Sequence, residues 1–381
     1  MREILRQYAS GYAKSEDRLT WMEDDQSSIH YPEVYLFIGD KVATAIEPIM
    51  DIHDRKWDNS ASVIYFHVGT KLHANGAERE DAQTAGRIHT YQLRLPEAEG
   101  GARSYRREMY KAFYEEKRYL SELNQSIRQL SHQISDYGRN YSSFDRIHLS
   151  IITRVDDPLN VFIPEISLLA DSIFKQSFKS VQMDLYTLIN EREQIESYGY
   201  DSSVGVAFLR ELERMQSPDY SFSAPLQVTE DGLTIPVVHS ASSLFDLVYV
   251  LSDKNERGIS DAGAQDIYEI ICHLGLLKNR KLKDDVYDGI RGVYNNTSFK
   301  SNIRTESGRQ GFVSAGFARV KRPNEPIALT VLYHFCRGLL QRMKRGADPD
   351  IHECMAYFGL HPELSLLRSA GCCQMRSLSM G

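Results

Sequence analysis

The chain has 381 residues, of which 42% are hydrophobic and 25% are charged, an ordinary composition for a folded globular protein. Its formal charge of -7 argues against a general nucleic-acid coat, because such proteins carry a strongly basic surface, and it leaves a local basic patch as the alternative. No apolar run approaches the roughly 20 residues of a membrane-spanning helix, and residues 1–18 lack the apolar core of a secretory signal. We therefore expect a cytoplasmic protein with no membrane partner.

The first elements form a strand, a helix and a strand. The apolar run VYLFIGD (34–40) predicts a strand, and the apolar residues of 42–52 recur at helical spacing. Pro48 should bend or shorten that helix, since proline disrupts helix interiors. ASVIYFHVG (61–69) predicts the next strand. Such a βαβ unit places its two strands in parallel with a right-handed crossover.

The same alternation continues along the chain. Residues 104–138 predict one long helix packed on the sheet, with a coiled-coil arm as the alternative, and the helix at 265–277 is apolar almost all round, which predicts a central, buried position. The other predicted strands are an edge strand (89–96), three buried strands (147–155, 181–189 and 245–253) and a late strand (312–323). The other predicted helices have their apolar faces within 166–174, 202–216 and 327–343, and residues 226–239 predict a hairpin.

These elements predict an α/β fold. It has a doubly wound, mostly parallel sheet of Rossmann-like type, a central buried helix and a smaller C-terminal α+β domain. The expected divisions are an N-terminal helix and linker (1–32), the α/β domain (33–278), the smaller domain (279–345) and a helical tail (346–381).

The stretch SIITRVDDPLNVFIPEISLLADSIF (150–174) has the strand, loop and helix layout at which many nucleotide-binding proteins hold phosphate. Its loop contains no glycine and carries Asp156 and Asp157, whose charges would repel phosphate. A magnesium ion bridged by Asp40, Asp156 and Asp157 is one alternative, because hard cations take carboxylates. Aspartates at strand ends are more commonly caps and turn formers, so no metal ligand is assigned.

Three segments carry a family resemblance. They are SSVGVAFLRELERM (202–215), FDLVYVLSDKNERG (245–258) and GFVSAGFARVKRPNEPIALTVLYHFCRGLLQRM (311–343). In order and spacing they resemble the bacterial tubulin-like family, distant relatives of tubulin and FtsZ. The resemblance covers residues 33–345. It implies a nucleotide-binding α/β domain, GTP with magnesium as the cofactor, and head-to-tail assembly into filaments.

The loops depart from the family's pattern. Where the family has a glycine-rich first turn, FIGDKVATA keeps Gly39 and adds Asp40, and the family's GGGTGSG loop falls on TRVDDPLNVFIPEIS (153–167) without matching one glycine. The asparagine that contacts guanine in relatives falls near Val204, whereas Asn255 stands where a second base contact is expected. The candidate nucleotide-binding residues are Gly39, Asp40, Asp156, Asp157 and Asn255.

Two functions follow from the resemblance and its departures. The first is a tubulin-like assembly or scaffold protein, a protomer of a filament or heteromeric complex, with no catalytic residue and little or no GTP binding. The alternative is a divergent GTP-hydrolysing polymer-forming protein. The partner is another protein or a second copy, because nothing such as a helix-turn-helix supports direct DNA reading. No role is assigned to the acidic run Asp284, Asp285 and Asp288.

Overall fold

The computed structural model describes residues 3, 6–13, 15, 29–71, 86–95, 104–136, 145–191, 198–229, 233–255, 258–259, 263–279, 302–316 and 323–344. The chain divides into two compact units. One comprises residues 24–318, and the other comprises residues 1–23 together with 319–381.

A seven-stranded sheet forms the centre of the larger unit, and every pair of neighbouring strands in it is parallel. Its strands are β1 (Glu33–Ile38), β2 (Ile64–Gly69), β3 (Ile88–Gln92), β4 (Arg146–Arg154), β5 (Ser180–Ile189), β8 (Leu247–Ser252) and β11 (Phe312–Val313). Their spatial order is β3-β2-β1-β4-β5-β8-β11. The predicted parallel α/β sheet is confirmed, and β3 lies at one of its two edges, as predicted.

Helices cover both faces of the sheet. They are α1 (Ile46–Lys56), α2 (Tyr105–Glu115), α3 (Lys117–Asp136), α4 (Ile163–Phe174), α5 (Tyr198–Met215) and α6 (Ala264–Asn279). Alternate residues of β1 enter two separate cores. Leu36 points into the core that holds α2 to α5, and Phe37 points into the core that holds α1 and α6. The sheet is therefore doubly wound, which explains the continuous apolar runs of its strands.

Two helices differ from the prediction. The long helix predicted over 104–138 is interrupted at Glu116, whose backbone is extended. As a result α2 packs on the 3-10 turn Pro158–Phe162 that leads into α4, while α3 packs against α4 and the strand Phe222–Val228. The coiled-coil alternative is wrong, because Leu123, Ile127 and Ile134 of α3 are buried in the core. Helix α1 begins at Ile46, which places Pro48 in the first turn, where no intrahelical hydrogen bond is lost.

A buried ion pair ties α6 to the sheet. The Lys278 ammonium lies 2.6 Å from a carboxylate oxygen of Asp184 and 2.6 Å from the Tyr186 hydroxyl. The Lys278 side chain is only 5% exposed, so its charge is balanced inside the protein by Asp184. This contact fixes the end of the central helix, whose buried position is confirmed at Ile271 and Cys272.

The remaining elements are small or belong to the other unit. The predicted hairpin is confirmed as antiparallel β6 (Phe222–Val228) and β7 (Thr234–His239), and a second short pair comprises β9 (Lys254–Asn255) and β10 (Gly258–Ile259). The other unit contains helical residues 6–13 and α7 (Asn324–Lys344), which confirms the last predicted helix. The acidic run 284–288 and the tail 346–381 lie outside the described residues. Among the residues described, no helix combines the length and apolarity needed to span a membrane.

Candidate functional site

From β1 the chain adds β2 and β3 towards one edge of the sheet, and from β4 it adds β5, β8 and β11 towards the other edge. The order of the strands therefore reverses between the neighbours β1 and β4. In open α/β sheets, ligands bind at the carboxyl ends of the strands beside such a switch point. Gly39 and Asp40 directly follow β1, and Asp156 and Asp157 follow β4. The structure thus brings four of the five candidate residues to one edge of the sheet.

Asp157 forms the centre of this edge. Its side chain is almost fully buried, and its two carboxylate oxygens accept hydrogen bonds from the backbone N–H groups of Lys41 (2.7 Å) and Leu159 (2.9 Å). Leu159 lies in a 3-10 turn that leads into α4, so the carboxylate caps the start of this helical segment. Phosphate binds in nucleotide folds at the same kind of position, a helix N-terminus beside the first loop. Here the protein supplies its own anion.

Gly39 allows the approach of that carboxylate. Its φ is +122°, a conformation that residues with a Cβ rarely adopt, and a Cβ placed there would overlap the Asp157 carboxyl group. The Gly39 N–H donates to the Val68 carbonyl at 2.9 Å, which fixes the loop on β2. The one glycine that the first loop keeps therefore makes room for an internal side chain.

Asp40 connects the loops after β1 and β2. Its carboxylate accepts hydrogen bonds from the Thr70 hydroxyl and the Thr70 N–H, the latter at 2.7 Å, and from the Lys71 N–H at 3.2 Å. None of these donors is shared with Asp157. Within the described part of the chain, no group of three His, Cys, Asp or Glu side chains is arranged to hold a metal ion.

Lys41 and Arg154 balance the charge of Asp156. The Asp156 carboxylate lies 2.9 Å from the Lys41 ammonium and 2.8 Å from the Arg154 guanidinium. Burial raises the pKa of Asp156, but the hydrogen bonds from Arg154 and Lys41 outweigh it and hold the pKa below its usual value. Lys41 also contacts Asp201 at the start of α5, at 2.9 Å. One lysine thus bridges two loops and a helix.

The start of α2 covers the same edge. The Arg106 guanidinium donates to both carboxylate oxygens of Glu211 on α5, at 3.1 and 2.7 Å, and to the Asn160 side chain at 2.9 Å. Burial raises the pKa of the neighbouring Tyr105, and the nearby charge of Asp40 raises it further. Sequence reasoning missed Lys41, Arg106 and Asp201, because their partners come from distant segments and no local motif marks them.

Asn255 stands apart from the other candidates. It belongs to β9, which follows β8 in the chain. In the sheet β5 lies between β8 and β4, so Asn255 follows a strand that is not a neighbour of β4. Its backbone pairs with Gly258 in the short β9–β10 ribbon. A base contact by Asn255 stays a prediction.

Comparisons with known proteins give little further identification. No protein-family model matches the sequence, and no curated protein matches it. Among solved structures, TubZ of Clostridium botulinum phage c-st shares 12% identity at a TM-score of 0.35, over 66% of this chain and 61% of TubZ. The chain therefore matches less than two thirds of the length of TubZ.

Two further solved structures are similar at a lower level. A TubZ with a truncated C-terminal tail from the same phage shares 15% identity at a TM-score of 0.28, over 48% of each chain. A ugt transferase from Siraitia grosvenorii in complex with UDP shares 12% identity at 0.21, over 51% of this chain and 35% of that one. TM-scores this low do not establish a shared fold, so the α/β assignment depends on the observed sheet.

Substitution of Gly39 tests the close approach of Asp157. We expect Gly39→Ala to lower the free energy of unfolding by about 2 kcal/mol or more, because a strained backbone conformation costs roughly 1–3 kcal/mol and the carboxylate must also move. Urea unfolding measures the change. Gly205→Ala is the matched control, since Gly205 lies in α5 and a Cβ placed there would lie 3.7 Å from Val155, an ordinary van der Waals contact. The control should be neutral or about 0.5–1 kcal/mol more stable. Equal effects of the two substitutions would contradict the assignment.

Asp157 should also give stability a characteristic pH dependence. Burial raises its pKa from 3.8 to about 6 despite the hydrogen bonds from Lys41 and Leu159. The folded chain therefore holds this proton more tightly than the unfolded chain. The contribution of Asp157 is complete below about pH 4 and is lost as the pH rises to about 6.

The comparison with Asp157→Asn isolates this contribution. The unfolding free energy of the wild type minus that of the variant should fall by about 3 kcal/mol between pH 4 and pH 7. Urea titrations at several pH values measure this difference. The exposed Asp219, whose pKa is lowered through a hydrogen bond from Ser217, provides the control Asp219→Asn, for which the difference should not fall. A flat curve for Asp157→Asn would show that its carboxyl group titrates normally.

Proposed function

We propose that this chain is a cytoplasmic, tubulin-like assembly protein, a protomer of a filament or of a heteromeric complex, that binds little or no GTP. The observation that carries the loss of GTP binding is the buried Asp157 carboxylate at the switch point, on the N–H groups of Lys41 and Leu159. The assembly role is supported by the order and spacing of the tubulin-like sequence segments.

Charge opposes a triphosphate at this edge. A phosphate would have to displace Asp157 from its two N–H donors and lie beside Asp40 and Asp156. Two unit charges of equal sign about 4 Å apart repel by about 4 kcal/mol at an effective dielectric constant of 20. The nearby cations do not offset this repulsion, since Lys41 already contacts Asp156 and Asp201, and Arg154 contacts Asp156.

The contacts around the crevice replace those that a ligand would make. Arg106 joins α2 to Glu211 of α5 and to Asn160 of the turn after β4. Lys41 joins the loop after β1 to α5 through Asp201. These elements are thus linked directly, which supports a fold that needs no bound nucleotide to order its loops.

Helix α7 supports contact with another protein. Six of its large apolar side chains are between 41% and 62% exposed, namely Ile327, Val331, Tyr333, Phe335, Leu340 and Met343. Clusters of exposed apolar side chains on soluble proteins commonly mark interaction surfaces. This helix is therefore a candidate contact surface for a second copy or a protein partner.

Ligand titration and sedimentation test the two parts of the proposal. We expect no rise in the melting temperature of the full chain with millimolar GTP, GDP or ATP and magnesium, because Asp157 occupies the donors that phosphate needs. A ligand at ~100 times its dissociation constant would add about 2.7 kcal/mol of stability. Sedimentation velocity over a series of concentrations should show larger species, in the same proportion with and without GTP.

The opposite results distinguish the alternative function. A stabilisation by GTP that EDTA removes, together with assembly that requires GTP, would establish a divergent GTP-hydrolysing polymer. A chain that sediments as a monomer at every concentration would contradict self-assembly and leave a heteromeric complex as the form to be tested by co-purification from its host.

A further inference from the structure

A polar cavity of about 420 Å³ lies at the carboxyl end of α5. Its lining residues are Arg210, Glu213, Arg214, Ser217, Asp219, Tyr220, Ser221 and Arg309. The ion pair of α5 with Lys41 at the switch point involves Asp201. Arg210, the first residue of α5 that lines the cavity, is nine residues further along this 18-residue helix, which is about 14 Å at 1.5 Å per residue. Glu211, which Arg106 contacts, lies nearer but does not line the cavity. The cavity therefore shares no lining residue with the candidate nucleotide site.

Three arginines converge on the cavity from two segments. Arg210 and Arg214 are four residues apart on α5 and so project from one side of the helix. Arg309 comes from the loop before β11, where the Gln310 N–H donates to the Gln216 carbonyl at 3.2 Å. Because the Gln216 side chain is buried, this bond fixes the loop that carries Arg309 beside the end of α5.

The two carboxylates of the cavity already have partners. Arg309 forms an ion pair with Glu213, and the Ser217 hydroxyl donates to Asp219. Three arginines against two carboxylates leave a net positive lining. Among the described residues, Arg210 and Arg214 form no ion pair within 4 Å. Their guanidinium groups are therefore the donors with most capacity for a further anion.

The lining suits a phosphate group more than other ligands. Guanidinium groups bind phosphate through paired, charge-assisted hydrogen bonds, and Ser221 and Tyr220 add hydroxyl donors. The volume falls within the range of small-molecule sites, which is roughly 300–1,000 Å³. The lining residues are nearly all polar or charged, which argues against an apolar ligand.

We propose that the cavity formed by Arg210, Arg214 and Arg309 binds a small molecule through its phosphate group. The proposal is independent of the switch point. It holds whether or not the chain assembles without GTP.

Calorimetric titration of the full chain with pyrophosphate tests the proposal, with inorganic phosphate and glycerol phosphate as parallel probes. The expected result is saturable binding with one site per chain, weakened at least tenfold in the double variant Arg210→Gln, Arg214→Gln. Arg107→Gln, an exposed arginine of α2, is the matched control and should bind like the wild type. Tighter binding of glycerol phosphate than of inorganic phosphate would identify an organic phosphomonoester as the ligand class.

A conservative variant tests the role of Arg214 without removing its charge. Arg214→Lys retains the positive charge but loses the two parallel N–H donors of the guanidinium, so its affinity for pyrophosphate should fall less than that of the double variant. It replaces the double variant if that variant melts at a lower temperature than the wild type. Binding that is unchanged in the arginine variants, or no binding at millimolar pyrophosphate, would overturn the proposal. Binding lost only on substitution of Lys41 would instead place the phosphate at the switch point and contradict the proposed loss of GTP binding.

Discussion

The arrangement of the candidate site depends on one carboxylate. Asp157 follows β4, accepts hydrogen bonds from Lys41 and Leu159, and lies against Gly39 at the end of β1. This contact joins the two strands at which the order of the sheet reverses. The group that many α/β proteins bind from solution at such a place is here a side chain. Its position is fixed by the fold, and its burial raises its pKa to about 6.

The surrounding charges follow from that placement. A buried anion requires compensation, and the loops provide it through backbone N–H groups while Lys41 and Arg154 serve the adjacent Asp156. Asp201 and Arg106 then bind α5 and α2 to the same edge. The network therefore links the loops after β1 and β4 directly to α2 and α5.

Much of the fold could be predicted from the sequence, and the site only in part. Strands buried on both faces produce continuous apolar runs, so β1, β4, β5 and β8 were recognisable. The interruption at Glu116 was not, because no glycine or proline marks it. The loop after β4 showed its lack of glycine, but the contact of Asp157 with Gly39 depends on the pairing of β1 with β4, which is a long-range feature. The arginine cavity likewise unites α5 with a loop that has no periodic pattern.

Chemical rescue gives the most direct test of the claim that Asp157 replaces a bound anion. Asp157→Ala leaves the Lys41 and Leu159 N–H groups without their acceptor, and an unsatisfied buried donor costs about 1–3 kcal/mol. The measurement is the melting temperature of variant and wild type in sodium formate and in sodium chloride at equal ionic strength. The account predicts that formate raises the melting temperature of Asp157→Ala and leaves that of the wild type unchanged. Equal responses of both proteins would contradict it.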